Sequence, residues 1–384
     1  MTAGPTVSRR VLVPFGTRPE LIKLAPVVAE LVRAGHEVTT VSTGQHYDPT
    51  MSSSISEELG FHPDVSLHLD VDGPGRVGAI LAGASSTVSS VSPDVVLALG
   101  DTYTVPAYAL ASRYSRVPFV HLEAGLRSFN WKSAEEVNRR VAAACASLHF
   151  APTTKAASFL AKEGVEQRRL FVVGNSVIDT LVLRGARPLP LAQRDLVVVT
   201  AHRATNVDDP ARLRRLVNVV AGLTGLGRVV FPVHPRTAER LERHGLRPDL
   251  ERTGARLTGP VPYTEMLDLI AHARLVVTDS GGLQEEASYF GVPIVVLRSS
   301  TPRWEGVDNA TAVLAGLASD EQAELALLAS SKFCTPSEAA RVAAVPCPYG
   351  DGTASQKVAA ILSDPATTEL LALVEPDPVQ SVPW

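Results

Sequence analysis

Three carboxylates, a set of cations and two glycine-containing turns carry the chemistry legible in these 384 residues. Asp101 and Glu123 each follow a short apolar run, Val95 to Leu99 and Val117 to Leu122, of the kind that becomes a buried strand. An ionised group in such a place is costly unless it is paired or used. A carboxylate in a dry site can be raised toward neutrality and serve as general acid or base. Asp101 also fits a turn or helix cap. Glu135, next to Glu136 and ahead of Asn138-Arg139, fits either a third acid/base group or an ordinary helix ion pair.

Thr278-Asp279-Ser280-Gly281-Gly282 runs from a strand pattern into a helix pattern near Leu283. Paired glycines let a backbone approach closely, and free amides at a helix start suit phosphate. The same pair also makes a plain tight turn. Glu286, about one turn further on, either accepts hydrogen bonds from ribose hydroxyls or sits solvated on its helix. Phe15-Gly16-Thr17-Arg18-Pro19-Glu20 with Lys23 repeats the logic. Proline suits a first helical turn, and Arg18 and Lys23 either meet a diphosphate, arginine by bidentate hydrogen bonds, or stand exposed. His202 and His234 each follow a strand pattern, where a histidine either meets a ligand or caps a turn.

These residues need elements to hold them. Short β-branched runs alternate with longer helical patterns: Val11-Leu12-Val13, Glu37 to Ser42, Val95 to Leu99, Val117 to Leu122, Leu148 to Ala151 and Phe171 to Val173. After a plausible linker, Arg184 to Pro190, come Leu196 to Thr200, Arg228 to Val233, Leu275 to Thr278 and Pro293 to Leu297. Strands apolar throughout and spaced by helices predict parallel sheets covered on both faces. The polar candidates follow the ends of these runs, where open parallel sheets bind ligands. Two such edges facing each other predict one cleft.

Bulk properties narrow the function. A chain of this length suits two domains, and 45% hydrophobic with 20% charged residues suits a globular protein with sizeable cores. The net charge of −4, with Lys and Arg scattered, offers no basic face for nucleic acid. No apolar run reaches the roughly 18 residues of a membrane span, and the N-terminus lacks a secretory pattern. Cys145, Cys334 and Cys347 form an odd set without zinc spacing, which predicts reduced, structural thiols in a cytoplasmic setting. No nucleophile elbow, metal-binding helix motif, Walker loop or dinucleotide fingerprint appears, so nicotinamide chemistry is unsupported.

Taken in order, FGTRPE with Lys23 and Pro26, TGQH, GDT, HLEAGLR, EExNR, FxPT, GNSVID, TAHR, PVHPR, TDSGGLQEEA, GVP and PYGDG resemble one family, the non-hydrolysing UDP-N-acetylglucosamine 2-epimerases. The resemblance runs from about Val11 to the helix after Gly352. It implies an α/β chain of two Rossmann-like domains facing across a cleft, the glycosyltransferase-B type. Their expected bounds are 1–185 and a UDP-binding 186–354, with residues from about 355 to 384 packing back on the first. It implies inversion at C2 of a UDP-2-acetamido sugar by anti elimination of UDP to a 2-acetamidoglucal and re-addition, with no metal or cofactor needed. Asp101, Glu123, Glu135 and His202 match the catalytic positions. Arg18, Lys23, His46, Arg127, Arg139, Asn175, His234, Ser280, Gly281, Gly282, Glu286 and Arg303 match substrate-binding ones. The implied partners are a UDP-sugar and a second copy in a homodimer, with no nucleic acid or membrane.

Two segments depart from the family pattern. Arg127 to Glu135 is shorter than in the commonest bacterial members and closer to a subgroup acting on modified UDP-2-acetamido sugars, with Asn130 where that subgroup has Asp and Ala134 where it has Pro. Threonine-glutamate-arginine-proline-glutamate here reads Thr301-Pro302-Arg303-Trp304-Glu305. The expectation is an unusual sugar whose pocket Trp304 and Trp131 shape; neutral drift is the alternative. Leu67 to Arg76, and Tyr47-Asp48-Pro49 after Gln45-His46, lack the pattern of substrate-activated members, so no such activation is expected. Competing readings are a hydrolysing epimerase releasing free N-acetylmannosamine, usually fused to a kinase domain not found in these residues, and a non-catalytic nucleotide-sugar binder or glycosyltransferase.

Overall fold

The computed structural model describes residues 6–44, 61–67, 69, 71 and 75–373. Within them the chain forms two compact units. One takes the described residues of 1–126, 130–180 and 352–384; the other takes 127–129 and 181–351.

Among the described residues, the sheet of the first unit is built from β1 (Arg10–Phe15), β2 (Glu37–Ser42), β3 (Val65–Ser66), β4 (Val95–Leu99), β5 (Phe119–Leu122), β6 (Leu148–Ala151) and β7 (Leu170–Val172). All pairings are parallel, in the order β3-β2-β1-β4-β5-β6-β7. The second unit repeats the plan with β8 (Leu196–Thr200), β9 (Arg228–Pro232), β10 (Arg256–Thr258), β11 (Ala273–Thr278), β12 (Ile294–Val296) and β13 (Ala312–Leu314). Its order is β10-β9-β8-β11-β12-β13, again parallel. Strand order reverses between β1 and β4 in one sheet and between β8 and β11 in the other. Crossovers diverge at such a point and leave a crevice at the carboxyl ends of the strands.

The central strands are the apolar runs legible in the sequence. Val95, Val96, Leu97 and Ala98 are fully buried, as are Val197, Val198 and Val199, because helices cover both faces of a parallel sheet. β3, β10 and β13 were not foreseen. Each is an edge strand of two or three residues, and an edge half-open to solvent does not need the continuous apolar run that marks a central strand.

The helix Ala354–Ser363 belongs to the first unit and is tied there by polar contacts. Asp179 accepts from the backbone amides of Ala354 and Ser355 at 3.2 and 2.6 Å, capping its start. At the other end Arg9 Nε donates to the Leu362 carbonyl at 2.8 Å and the His36 ring meets Ser363 Oγ at 3.0 Å. Among the described residues no helix is long and apolar enough to cross a membrane.

Candidate active site

In the first unit, Arg18, Asp101, Glu123 and Asn175 follow the carboxyl ends of β1, β4, β5 and β7. Glu123 is 6% exposed and left-handed (φ 63°), a backbone cost that functional turns often carry. The glycine two residues on is obligatory. Gly125 has φ 85°, and a Cβ there would lie 2.3 Å from the Ala156 carbonyl oxygen.

Each carboxylate is held. Lys23 Nζ donates to Glu123 Oε2 at 2.7 Å, and both side chains are less than a tenth exposed. Lys23 thus sits on an acid/base candidate. Asp101 accepts from Arg139 Nη1 on its Oδ2, while its backbone carbonyl accepts from Asn138 Nδ2 at 2.8 Å. Arg139 also donates to the buried Glu136 at 2.7 Å. Glu135, half-buried in the first turn of the helix Ala134–Cys145, accepts from Ser133 Oγ. Asn175 is 2% exposed, and its Oδ1 accepts from the Val177 amide at 3.1 Å. His46 and Gln45 lie outside the described residues.

The second unit builds its site from a turn and the helix after it. Ser280 precedes the helix Gly281–Tyr289, so Gly281 and Gly282 stand in its first turn, where amides lack intrahelical partners. Arg303 Nε and Nη2 donate to the buried Glu285 Oε1 at 2.9 and 2.8 Å. The guanidinium lies against the turn: a Cβ on Gly281 would come within 2.9 Å of Arg303 Nη1. Thr301 Oγ1 donates to Gln284 at 2.9 Å and accepts from the Arg303 amide at 3.1 Å. Glu286 is 7% exposed and lies near Tyr263, whose phenol is raised far above its ordinary value by burial and then by that carboxylate. The hydroxyl therefore stays protonated.

His202 follows β8, and Asp279, fully buried, follows β11. Asp279 accepts from the backbone amides of His202 at 3.1 Å and Arg203 at 3.0 Å and from Asn206 Nδ2 at 3.1 Å. The His202 Nδ1 lies 3.2 Å from its Oδ1. Desolvation lowers the pKa of His202 from 6.5, Asp279 opposes this, and Arg203, Arg298 and Arg236 add to it. His234 is exposed, 5.4 Å from His202 ring to ring, and caps the helix Pro235–Arg243.

The two tryptophans of the divergent segments differ. Trp304 Nε1 donates to the backbone carbonyl of the fully buried Arg127 at 2.7 Å, a bond a proline at that position could not make. Trp131 is 65% exposed with the Arg140 guanidinium 4.4 Å over its ring.

Sequence reading passed over Glu20, Tyr263, Asp279 and Glu285 as site residues. Asp279 and Glu285 lie inside the glycine-turn motif, yet their partners are 76 and 18 residues away. Among the described residues no group of three or more His, Cys, Asp or Glu is placed to hold a metal ion.

Comparison with known proteins identifies the family. Residues 29–363 match the family model for UDP-N-acetylglucosamine 2-epimerase. The UDP-N-acetylglucosamine 2-epimerase of Methanococcus maripaludis is 36% identical over 322 residues, covering 79% of this chain and 86% of that one. The UDP-2,3-diacetamido-2,3-dideoxy-D-glucuronate 2-epimerase of Pseudomonas aeruginosa is 35% identical over 365 residues, covering 92% and 99%. The crystal structure of the Methanocaldococcus jannaschii UDP-GlcNAc 2-epimerase in complex with UDP-GlcNAc and UDP superposes with a TM-score of 0.81 at 33% identity, over 92% of this chain and 99% of that one. This chain belongs to the UDP-N-acetylglucosamine 2-epimerase family.

Proposed function

We propose that the protein inverts C2 of a UDP-2-acetamido sugar. A carboxylate removes the C2 proton, the electron pair forms the C1–C2 double bond, and the C1–oxygen bond breaks to release UDP. UDP then adds back at C1 while a second acid delivers a proton to the opposite face of C2. The observation that carries this reading is the placing of Asp101 and Glu123 at adjacent strand ends, each against a cation. Such pairs suit proton transfer at carbon. Ser280, Gly281, Gly282 and Arg303 supply amides and a guanidinium for the leaving diphosphate, Glu286 takes the ribose hydroxyls, and His202 assists near the phosphates.

The sugar is read as a modified one. Support comes from the short Arg127–Glu135 segment and from the nearly full-length match to the diacetamido-glucuronate epimerase. A homodimer in the cytoplasm completes the proposal, supported by the family resemblance and by three cysteines that form no disulfide; light scattering in solution checks the dimer. The deciding experiment incubates the protein in deuterated water with UDP-N-acetylglucosamine, its C2 epimer and UDP-2,3-diacetamido-2,3-dideoxy sugars. Deuterium at C2 with UDP still attached is the expected result, fastest with a diacetamido sugar. Free UDP with free sugar means hydrolysis, and no exchange with any sugar rejects the reading.

A further inference from the structure

Glu20 lies third in the helix Arg18–Arg33 and is 3% exposed. Its Oε2 accepts from the amides of Gly16 and Thr17 at 3.0 and 2.8 Å and from Thr17 Oγ1 at 2.8 Å. Its Oε1 accepts from Thr102 Oγ1 at 2.8 Å. An ordinary capping box explains the bond to the Thr17 amide. It does not explain the other two turn donors, nor the reach across 82 residues to the turn after β4.

That reach crosses the point where the strand order of the first sheet reverses. β1 and β4 pair at Val11↔Val95 and Leu12↔Val96, so the turns beyond them have no ladder to set their relative position. One turn carries Arg18 and the other carries Asp101. Only a carboxylate supplies acceptors on both of its atoms for these four donors; an amide has one oxygen and two N–H groups that would oppose them. We propose that Glu20 is a positioning residue that fixes the Asp101 turn against the Arg18 turn for proton transfer at C2. The proposal rests on the epimerase reading above.

Burial pushes Glu20 up to about 7 against the hydrogen bonds from Thr17, Thr102 and Gly16. Charged groups nearby are Arg18 and Lys23 on its own helix, Glu123 paired with Lys23, and Asp101 with Arg139 beside the facing turn. Protonation would turn one acceptor into a donor and release the latch.

Two variants test this, Glu20→Gln and Thr102→Val; the second cuts only the link between the turns and keeps the helix start intact. Hydrogen–deuterium exchange of the backbone around residues 100–104 is measured first, since it needs no substrate. Faster exchange there in both variants is expected; unchanged protection in Thr102→Val overturns the proposal. With the sugar on which the wild type exchanges C2 hydrogen, Glu20→Gln should lose roughly 10²-fold in kcat, the scale of a misplaced catalytic group, with UDP affinity kept. The fall of wild-type kcat as pH drops through about 7 should vanish in Glu20→Gln and flatten in Thr102→Val, where the link is already cut. Full kcat in both variants, or an unchanged acid limb in Glu20→Gln, overturns it. A wild type inert toward every sugar rejects the epimerase reading, and the exchange data still decide the latch.

Discussion

The reversal point of each sheet is bridged by a buried acid, and the two acids work on different material. In the first unit Glu20 joins the turns after β1 and β4, and the groups around it are themselves side-chain pairs: Lys23 with Glu123, Arg139 with Asp101. In the second unit Asp279 joins the turns after β8 and β11 chiefly through backbone amides. The glycine turn beside it presents its own amides. Proton transfer at carbon needs ionisable groups whose charge is tuned by neighbours. Holding a diphosphate needs fixed dipoles that never change charge. Under the proposed function, the first unit contributes side chains and the second chiefly backbone.

Tests of this contrast run from large effects to small. Replacing Asp101, Glu123 or Glu135 by its amide should each lower kcat by roughly 10²–10⁴-fold, the usual worth of an acid/base group, with little change in UDP affinity by calorimetry. Full rate in all three would place the chemistry elsewhere.

Lys23→Met leaves Glu123 buried against a methyl group. Removing one partner of a buried pair costs about 3–5 kcal/mol, so urea unfolding should show a large loss, and the double variant Lys23→Met/Glu123→Gln should recover much of it. Equal losses in single and double variants would mean that the pair does not couple.

On the backbone-built side, Gly281→Ala adds a Cβ against Arg303 Nη1. Because Glu285 pins that guanidinium, the arginine must leave its rotamer, at about 1 kcal/mol. That is roughly fivefold in UDP affinity, read by calorimetry, with kcat at saturation nearly kept. A loss confined to kcat would contradict the division of labour.

The smallest effect is a titration. His202 should become protonated only below pH 6.5 in an NMR titration, since desolvation lowers its pKa and Asp279 only partly restores it. Asp279→Asn removes that attraction, so the midpoint should fall further. A midpoint above 6.5 in the wild type, or a rise in the variant, would show that Asp279 does not act on the ring.

Central strands and the glycine turn were readable because their signals are local. A strand buried on both faces must be largely apolar, as Val95 to Leu99 and Leu196 to Val199 are, and Thr278-Asp279-Ser280-Gly281-Gly282 announces a helix start in five residues. The short edges β3, β10 and β13 carry no such run. Lys23, beside an arginine and a helix start, carries no local sign of its carboxylate partner. Its contact with Glu123 spans 100 residues and exists only once β1 and β5 lie in one sheet.

The order of motifs along the chain was thus enough to determine the kind of fold and the family, since each motif is a short stretch whose backbone conformation its own residues dictate. Which cation meets which carboxylate was decided by the tertiary structure alone. An ion pair is formed by whatever charges the strand order brings within a few ångströms, and strand order is a property of the whole sheet. The same holds for Glu20. Its place in a capping box is written in the sequence, while its hold on Thr102 follows from β1 and β4 being neighbours.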